Sequence, residues 1–279
     1  LGIRSLHEEG VSGQGVGIAI IDQKLLLGHR EYANRLVYYQ APGMSSAEPE
    51  FHGAPVASLA AGRNIGVTPD AVLYYFATPS WLGDLCYPAA ALEEICRMNP
   101  SLPEGEKIRV VSISRGDFSV QPNLPRWKAA LALAKKQDIL VVSCDPEGYD
   151  YGSISRIPGQ DPDDPASYRL TPWMLGQYPL TGESLLVPGG NRTVASSHGI
   201  EIYRAEVNGG LSWSAPYLAG LAALGYQANP SLTPDEIVRF WKESATPAAF
   251  GGKIINPRGF IEMARGVGKV DEPGEGEGV

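Results

Sequence analysis

The chain has 279 residues, 43% of them hydrophobic and 19% charged, a balance that suits a folded globular protein with a substantial core. A formal net charge of -8 argues against the clustered Lys and Arg of a nucleic-acid footprint. No run reaches the roughly 18 apolar residues needed to span a bilayer, and the opening LGIRSLHEEG lacks the charged-then-apolar pattern of a secretory signal, so neither nucleic acid nor membrane is expected as a partner.

In chain order, GVGIAII (15–21), AVLYYFA (71–77), IRVVSIS (108–114) and DILVVSC (138–144) are short, continuous, β-branched runs that read as buried strands. Helical patterns occupy 52–62, 88–98 and 125–137, the last with Pro125 suited to its start and Lys135 and Lys136 to its end. Strands alternating with helices predict right-handed crossovers and a three-layer α/β fold, a mostly parallel central sheet flanked by helices. Sites in such sheets form beyond the carboxyl ends of strands, where Asp22, Ser114 and Asp145 stand.

From 147 to about 190 the pattern turns to loop chemistry, with YDYGS and PGQDPDDP. Its aromatic residues Tyr149, Tyr151, Tyr168, Trp173 and Tyr178 point to ordered surface, either a cleft wall or a decorative insertion. SAPYLAGLAALGYQA then reads as a helix apolar nearly all round and therefore central. TPDEIVRFWKESA follows with a capping box of Thr233 and Glu236 and with Pro234 at the first helical position. Residues 1–265 read as one domain and the Gly- and Glu-rich 266–279 as a disordered tail.

Cys86, Cys96 and Cys144 form neither an even set nor a CxxC spacing, so each reads as a small buried hydrophobe, without a disulfide framework or zinc site. Unpaired cysteines favour a reducing compartment.

Three segments carry the chemistry. GQGVGIAIIDQ sets Asp22 one residue past a strand, FHGAPVASLAAG sets His52 at the mouth of a helix, and GGLSWSAPYLAG sets Ser212 at the start of a buried helix after a glycine pair. Each alone reads as an ordinary cap or turn residue. Together the order Asp, His, Ser is that of one known Ser-His-Asp machine.

These segments resemble the subtilase pattern of an Asp after the first strand, HGTHVAG and GTSMSAP, and the chain is similar to subtilisin-like serine peptidases over about 8–262. GVTPDAVLYY, VVSISRG and ANPSLTPDEI are also similar to family segments, whereas 149–205 match least. The resemblance implies a serine endopeptidase domain with Asp22, His52 and Ser212 as the triad. Ser212 rather than Ser214 is the nucleophile, by its place in G-x-S-x-S-A-P. It also implies an extended polypeptide substrate along Ser114, Arg115 and Gly116, no cofactor, and a propeptide before Leu1. Family likeness suggests export to the medium or cell envelope, whereas the cysteines suggest an interior location.

Five departures qualify this reading. The family's oxyanion Asn, within a segment like AAGNEG, is absent from VSCDPEG, where Pro146 takes its place without gaps and Asp145 with a shift of one. Asp145 is therefore the oxyanion candidate, able to donate only when protonated. Gln23 and Lys24 replace the small residue and Gly after the Asp, and Pro55 replaces the second His. The calcium loop that precedes GVAP in many members is shortened away, so no metal is expected. Arg115 replaces the usual Leu and is either solvated or placed to meet an acidic substrate side chain. Alternatives to hydrolysis are a peptide-binding pseudoprotease and a processing peptidase or acyl transferase.

Overall fold

Alternate residues of one central strand feed two different cores, which requires cover on both faces of the sheet. In the computed structural model, which describes residues 1–44, 48–116, 118–145, 150–174 and 180–266, β1 (Gly17–Asp22) is that strand. Ile18 and Ile20 join one apolar core while Ala19 and Ile21 join the other.

The helices are α1 (Ile3–Glu8), α2 (Gly53–Ala61), α3 (Cys86–Met98), α4 (Leu124–Lys136), α5 (Leu211–Ala228), α6 (Pro234–Ser244) and α7 (Pro257–Gly266). With β1, the strands β2 (Leu36–Gln40), β3 (Val72–Ala77), β4 (Ile108–Ile113) and β5 (Leu140–Ser143) form a parallel sheet in the order β2-β3-β1-β4-β5. Residues of α2 and α5 pack in one core, and residues of α3 and α4 in the other. The expected α/β architecture, a parallel central sheet flanked by helices, is what the chain adopts. The capping box on α6 is also formed, with Thr233 Oγ1 accepting from the Glu236 N–H.

The segment read as loop contains more order than its composition suggests. β6 (Tyr151–Arg156), β7 (Tyr168–Leu170) and β8 (Leu185–Gly190) lie within it. After the hairpin of β9 (Arg192–Ala195) and β10 (Tyr203–Glu206), the short β11 (Thr246–Pro247) and β12 (Lys253–Ile254) complete a second sheet, β11-β12-β8-β6-β7. Gly, Ser and Pro inside YGSISR and LLVPGG hide these strands, because such residues ordinarily mark turns. Tyr151 and Tyr168 are buried there. Tyr149, Tyr178, Pro146 and nearly all of the 266–279 tail lie outside the described residues.

Helix α5 touches strands of both sheets, β1, β4 and β5 of one and β6 and β8 of the other. Nearly all of it is buried, as its all-round apolar sequence requires. Small residues allow that depth: a Cβ on Gly220 would stand 2.6 Å from Val67 Cβ, and one on Gly225 2.5 Å from Phe260 Cζ. Among the described residues, no helix is long and apolar enough to cross a membrane.

Candidate active site

The carboxyl ends of β1, β4 and β5, neighbours in the parallel sheet, deliver Asp22, Ser114 and the pair Cys144 and Asp145 to one edge. Asp22 is 6% exposed, and its Oδ1 accepts two hydrogen bonds of 2.7 Å, from the Gln23 N–H and from His52 Nδ1. The turn that aims Asp22 is held from two more sides. Tyr75 Oη donates to the Gln23 carbonyl at 2.6 Å, and the Lys24 N–H donates to Glu50 Oε2 at 3.0 Å. The unusual Gln23 and Lys24 are thus accommodated by backbone bonds.

His52 caps the entry to α2, and the residue after it has to be glycine. A Cβ on Gly53 would meet Tyr75 Oη at 2.5 Å and the Gln23 carbonyl oxygen at 2.7 Å. With Nδ1 bonded to Asp22, Nε2 is the ring nitrogen left to exchange a proton elsewhere. The imidazole packs against Trp213, with ring centroids 4.8 Å apart, and Phe51 meets it edge-on at 5.7 Å. Burial pushes the His52 pKa down, but the charge and hydrogen bond of Asp22 push it up and prevail, so it lies above the ordinary imidazole value. Arg204 and Glu206, an ion pair at 3.4 Å, act on it in opposite directions.

Ser212 lies in the first turn of α5, behind Gly209 and Gly210, whose φ values of 72° and 139° demand glycine. Those two glycines pack on β8, where a Cβ on Gly190 would strike Ser155 Oγ. Further along, Pro216 has no N–H to give the carbonyl four residues back, which is that of Ser212. Ser114 Oγ donates to this oxygen instead, at 2.9 Å, and ties the start of α5 to the end of β4. The motif's other serine, Ser214, is fully buried and donates to the Val187 carbonyl at 3.1 Å. Of the two, Ser212 is the one a substrate can reach.

Asp22 and His52 are therefore in direct contact, and Trp213, the residue after Ser212, packs on the imidazole with its ring tilted by 31°. Among the described residues, no hydrogen bond joins His52 to Ser212; the Ser212 hydroxyl instead lies close enough to the Cys144 thiol to lower its pKa. Such bonds are often long before substrate tightens them. Sequence reading treated Cys144 as a structural thiol and missed this contact, for which the sequence carries no signal beyond its place at a strand end. Burial pushes the Cys144 thiol up to about 12, against the lowering contacts with the Tyr151 and Ser212 hydroxyls.

The remaining candidates divide. Gly116 sits against the start of the β5 exit, where a Cβ would stand 2.6 Å from the Cys144 carbonyl oxygen, and the Cys144 N–H donates to the Arg115 carbonyl at 2.9 Å. Asp145 receives a backbone tie, its N–H donating to Ser143 Oγ at 3.3 Å. It lines a groove with Phe118, Leu124, Trp127 and Val238, and neither His52 nor Ser212 is among that groove's walls. Among the described residues, no group of three or more His, Cys, Asp or Glu side chains is arranged to hold a metal ion.

No family model matches the chain. It is 29% identical over 85 residues to the subtilisin-like protease PopC of Myxococcus xanthus (strain DK1622), a stretch amounting to 26% of this chain and 18% of that protein. Solved structures with the same architecture include that described for assembly of the subtilase cytotoxin SubAB, with a TM-score of 0.69, 19% identity and 93% of both chains covered. The prenylagaramide maturation protease PagA has a TM-score of 0.68 at 16% identity, over 95% of this chain and 99% of that one. MycP1 with its N-terminal propeptide removed has a TM-score of 0.64 at 20% identity, over 94% of each chain. The fold is thus subtilase-like, and the proteins similar to this chain are protease-like.

Proposed function

We propose that the protein is a serine endopeptidase that hydrolyses peptide bonds through an acyl-enzyme, with Ser212 as nucleophile, His52 as general base and then acid, and Asp22 as the group orienting the imidazole. The observation that carries this reading is the 2.7 Å bond from His52 Nδ1 to the buried carboxylate of Asp22, beside the one reachable serine of the G-x-S-x-S-A-P motif. Ser212 Oγ attacks the substrate carbonyl carbon while its proton passes to His52 Nε2. That proton then goes to the leaving amine as the peptide C–N bond breaks, and water, activated by the same imidazole, releases the acyl group and restores Ser212. Asp22 stabilises the imidazolium without taking its proton. The Ser212 N–H, at the positive end of the long helix α5, receives the oxyanion. The substrate backbone runs extended beside Ser114, Arg115 and Gly116.

A fluorophosphonate probe tests the proposal. Covalent labelling of the wild type and of Ser214→Ala, but not of Ser212→Ala, is the expected pattern. Folded wild-type protein that takes no label would make the cleft a peptide-binding module instead.

A further inference from the structure

Beside the catalytic pair, a pocket of about 90 Å³ is walled by Asp22, Gln23, His52, Ser80, Ser114 and Arg115. Arg115 is partly buried here and held at one end only. Its Nη2 donates to Gln121 Oε1, and Gln121 Nε2 in turn donates to the Gly116 carbonyl at 3.1 Å, so one side chain fixes the guanidinium to the backbone of its own turn. Nη1 is shielded from water and has no hydrogen-bond partner among the described residues.

Among the described residues, the carboxylate that acts on Arg115 is Asp84, which reaches it through charge alone, without a hydrogen bond. Asp84 is already engaged by the Cys86 N–H at 2.8 Å and by Asn123 Nδ2 at 2.7 Å. A guanidinium stays charged at any ordinary pH, and a partly buried one without an anion is costly until a partner arrives. Gln23 points the same way. Its Nε2 contacts Ser80 Oγ at 3.2 Å while its Oε1 is buried without a partner. A hydroxyl serves either end of an amide, so a half-turn of Gln23 keeps the Ser80 contact and frees a second donor.

We infer that this pocket selects an acidic side chain of the polypeptide substrate, with Arg115 as the residue that determines the preference. The inference rests on the peptidase reading above. Its space suits a short side chain, and a carboxylate supplies the hydrogen-bonded anion that no described residue gives Arg115, in the two-acceptor form that a fork of donors matches best.

The test uses the whole chain and quenched fluorescent peptides carrying Glu, Asp, Gln, Leu or Lys in turn at each of four positions before the scissile bond. At one position Glu or Asp should exceed Gln by about 10- to 100-fold in kcat/KM, as a charge-assisted bond implies. Arg115→Leu and Arg115→Gln should each erase that preference, and Arg115→Glu should turn it toward Lys. Equal cleavage of the Glu and Gln peptides at all four positions would overturn the inference, as would an acidic preference that survives Arg115→Leu. The wild-type profile decides even where a variant misfolds. Wild-type protein that takes the fluorophosphonate label but shows no acidic preference refutes the pocket assignment alone; absence of labelling refutes the peptidase reading itself.

Discussion

Replacing Gly53 by Ala probes how tightly the turn after Asp22 and the entry to α2 are locked together. The added methyl carbon would sit 2.5 Å from Tyr75 Oη and 2.7 Å from the Gln23 carbonyl oxygen, far inside the roughly 3.5 Å of ordinary contact. Tyr75 can turn aside only by giving up its 2.6 Å bond to that carbonyl, and the carbonyl can move only by dragging Asp22. Overpacking of this kind costs about 1–3 kcal/mol. For a chain of this size that is about 2–4 °C of melting temperature for each kcal/mol. Differential scanning calorimetry should therefore register a drop of roughly 2–12 °C. Because His52 precedes the altered residue and is bonded to Asp22, fluorophosphonate labelling should slow by about 10- to 100-fold, as displacements near 1 Å do to reacting groups. Adding Tyr75→Phe removes the closest obstructing atom, so the double variant should lose less stability than the sum of the single ones. A Gly53→Ala protein with unchanged melting temperature and labelling rate would refute the reasoning.

Three further outcomes are expected. The acid limb of the labelling rate, which reports loss of the basic imidazole, should have its midpoint above the ordinary His value of about 6.5, because Asp22 outweighs burial. Asp22→Asn should slow labelling and move the midpoint downward; an upward or absent movement would contradict the assigned cause. Ser114→Ala leaves the Ser212 carbonyl without its partner and should cost about 1–3 kcal/mol in chemical denaturation. Pro216→Ala, which supplies the missing N–H, should recover part of that loss in the double variant, and no recovery would count against the stated role of the proline. Finally, Cys144 and Cys96, with thiols pushed up to about 12 and about 11, should alkylate at pH 8 at least about tenfold more slowly in native protein than in denaturant, as peptide mass spectrometry can read.

The central sheet was legible because parallel strands buried on both faces are written as unbroken β-branched runs, and the observed ends of β1, β3, β4 and β5 lie within two residues of those runs. The second sheet was not, since β8 spends half its length on Pro188, Gly189 and Gly190. Those glycines serve the approach of Gly209 and Gly210, a demand of tertiary contact that no local pattern announces. At the site, motif order placed Asp22, His52 and Ser212 at the ends of elements, and the structure brings the first two into hydrogen-bond contact. The thiol beside Ser212 and the half-held guanidinium of Arg115 come from partners distant in sequence or from competition among neighbours, which spacing does not encode. Asp145, the oxyanion candidate by its place at a strand end, lines a groove whose walls include neither His52 nor Ser212, a placement that strand-end position alone does not foretell.

Helix α5 has almost no solvent face, and its glycines leave no slack against Val67 and Phe260. A larger residue anywhere along its middle must lift the helix or tilt it, and either motion is transmitted through a rigid rod to Ser212 at its tip. Evolution or engineering of thermal resistance in this region is therefore bound to shift the end that carries Ser212 as well, and under the proposed function variants selected for one property should be found altered in the other.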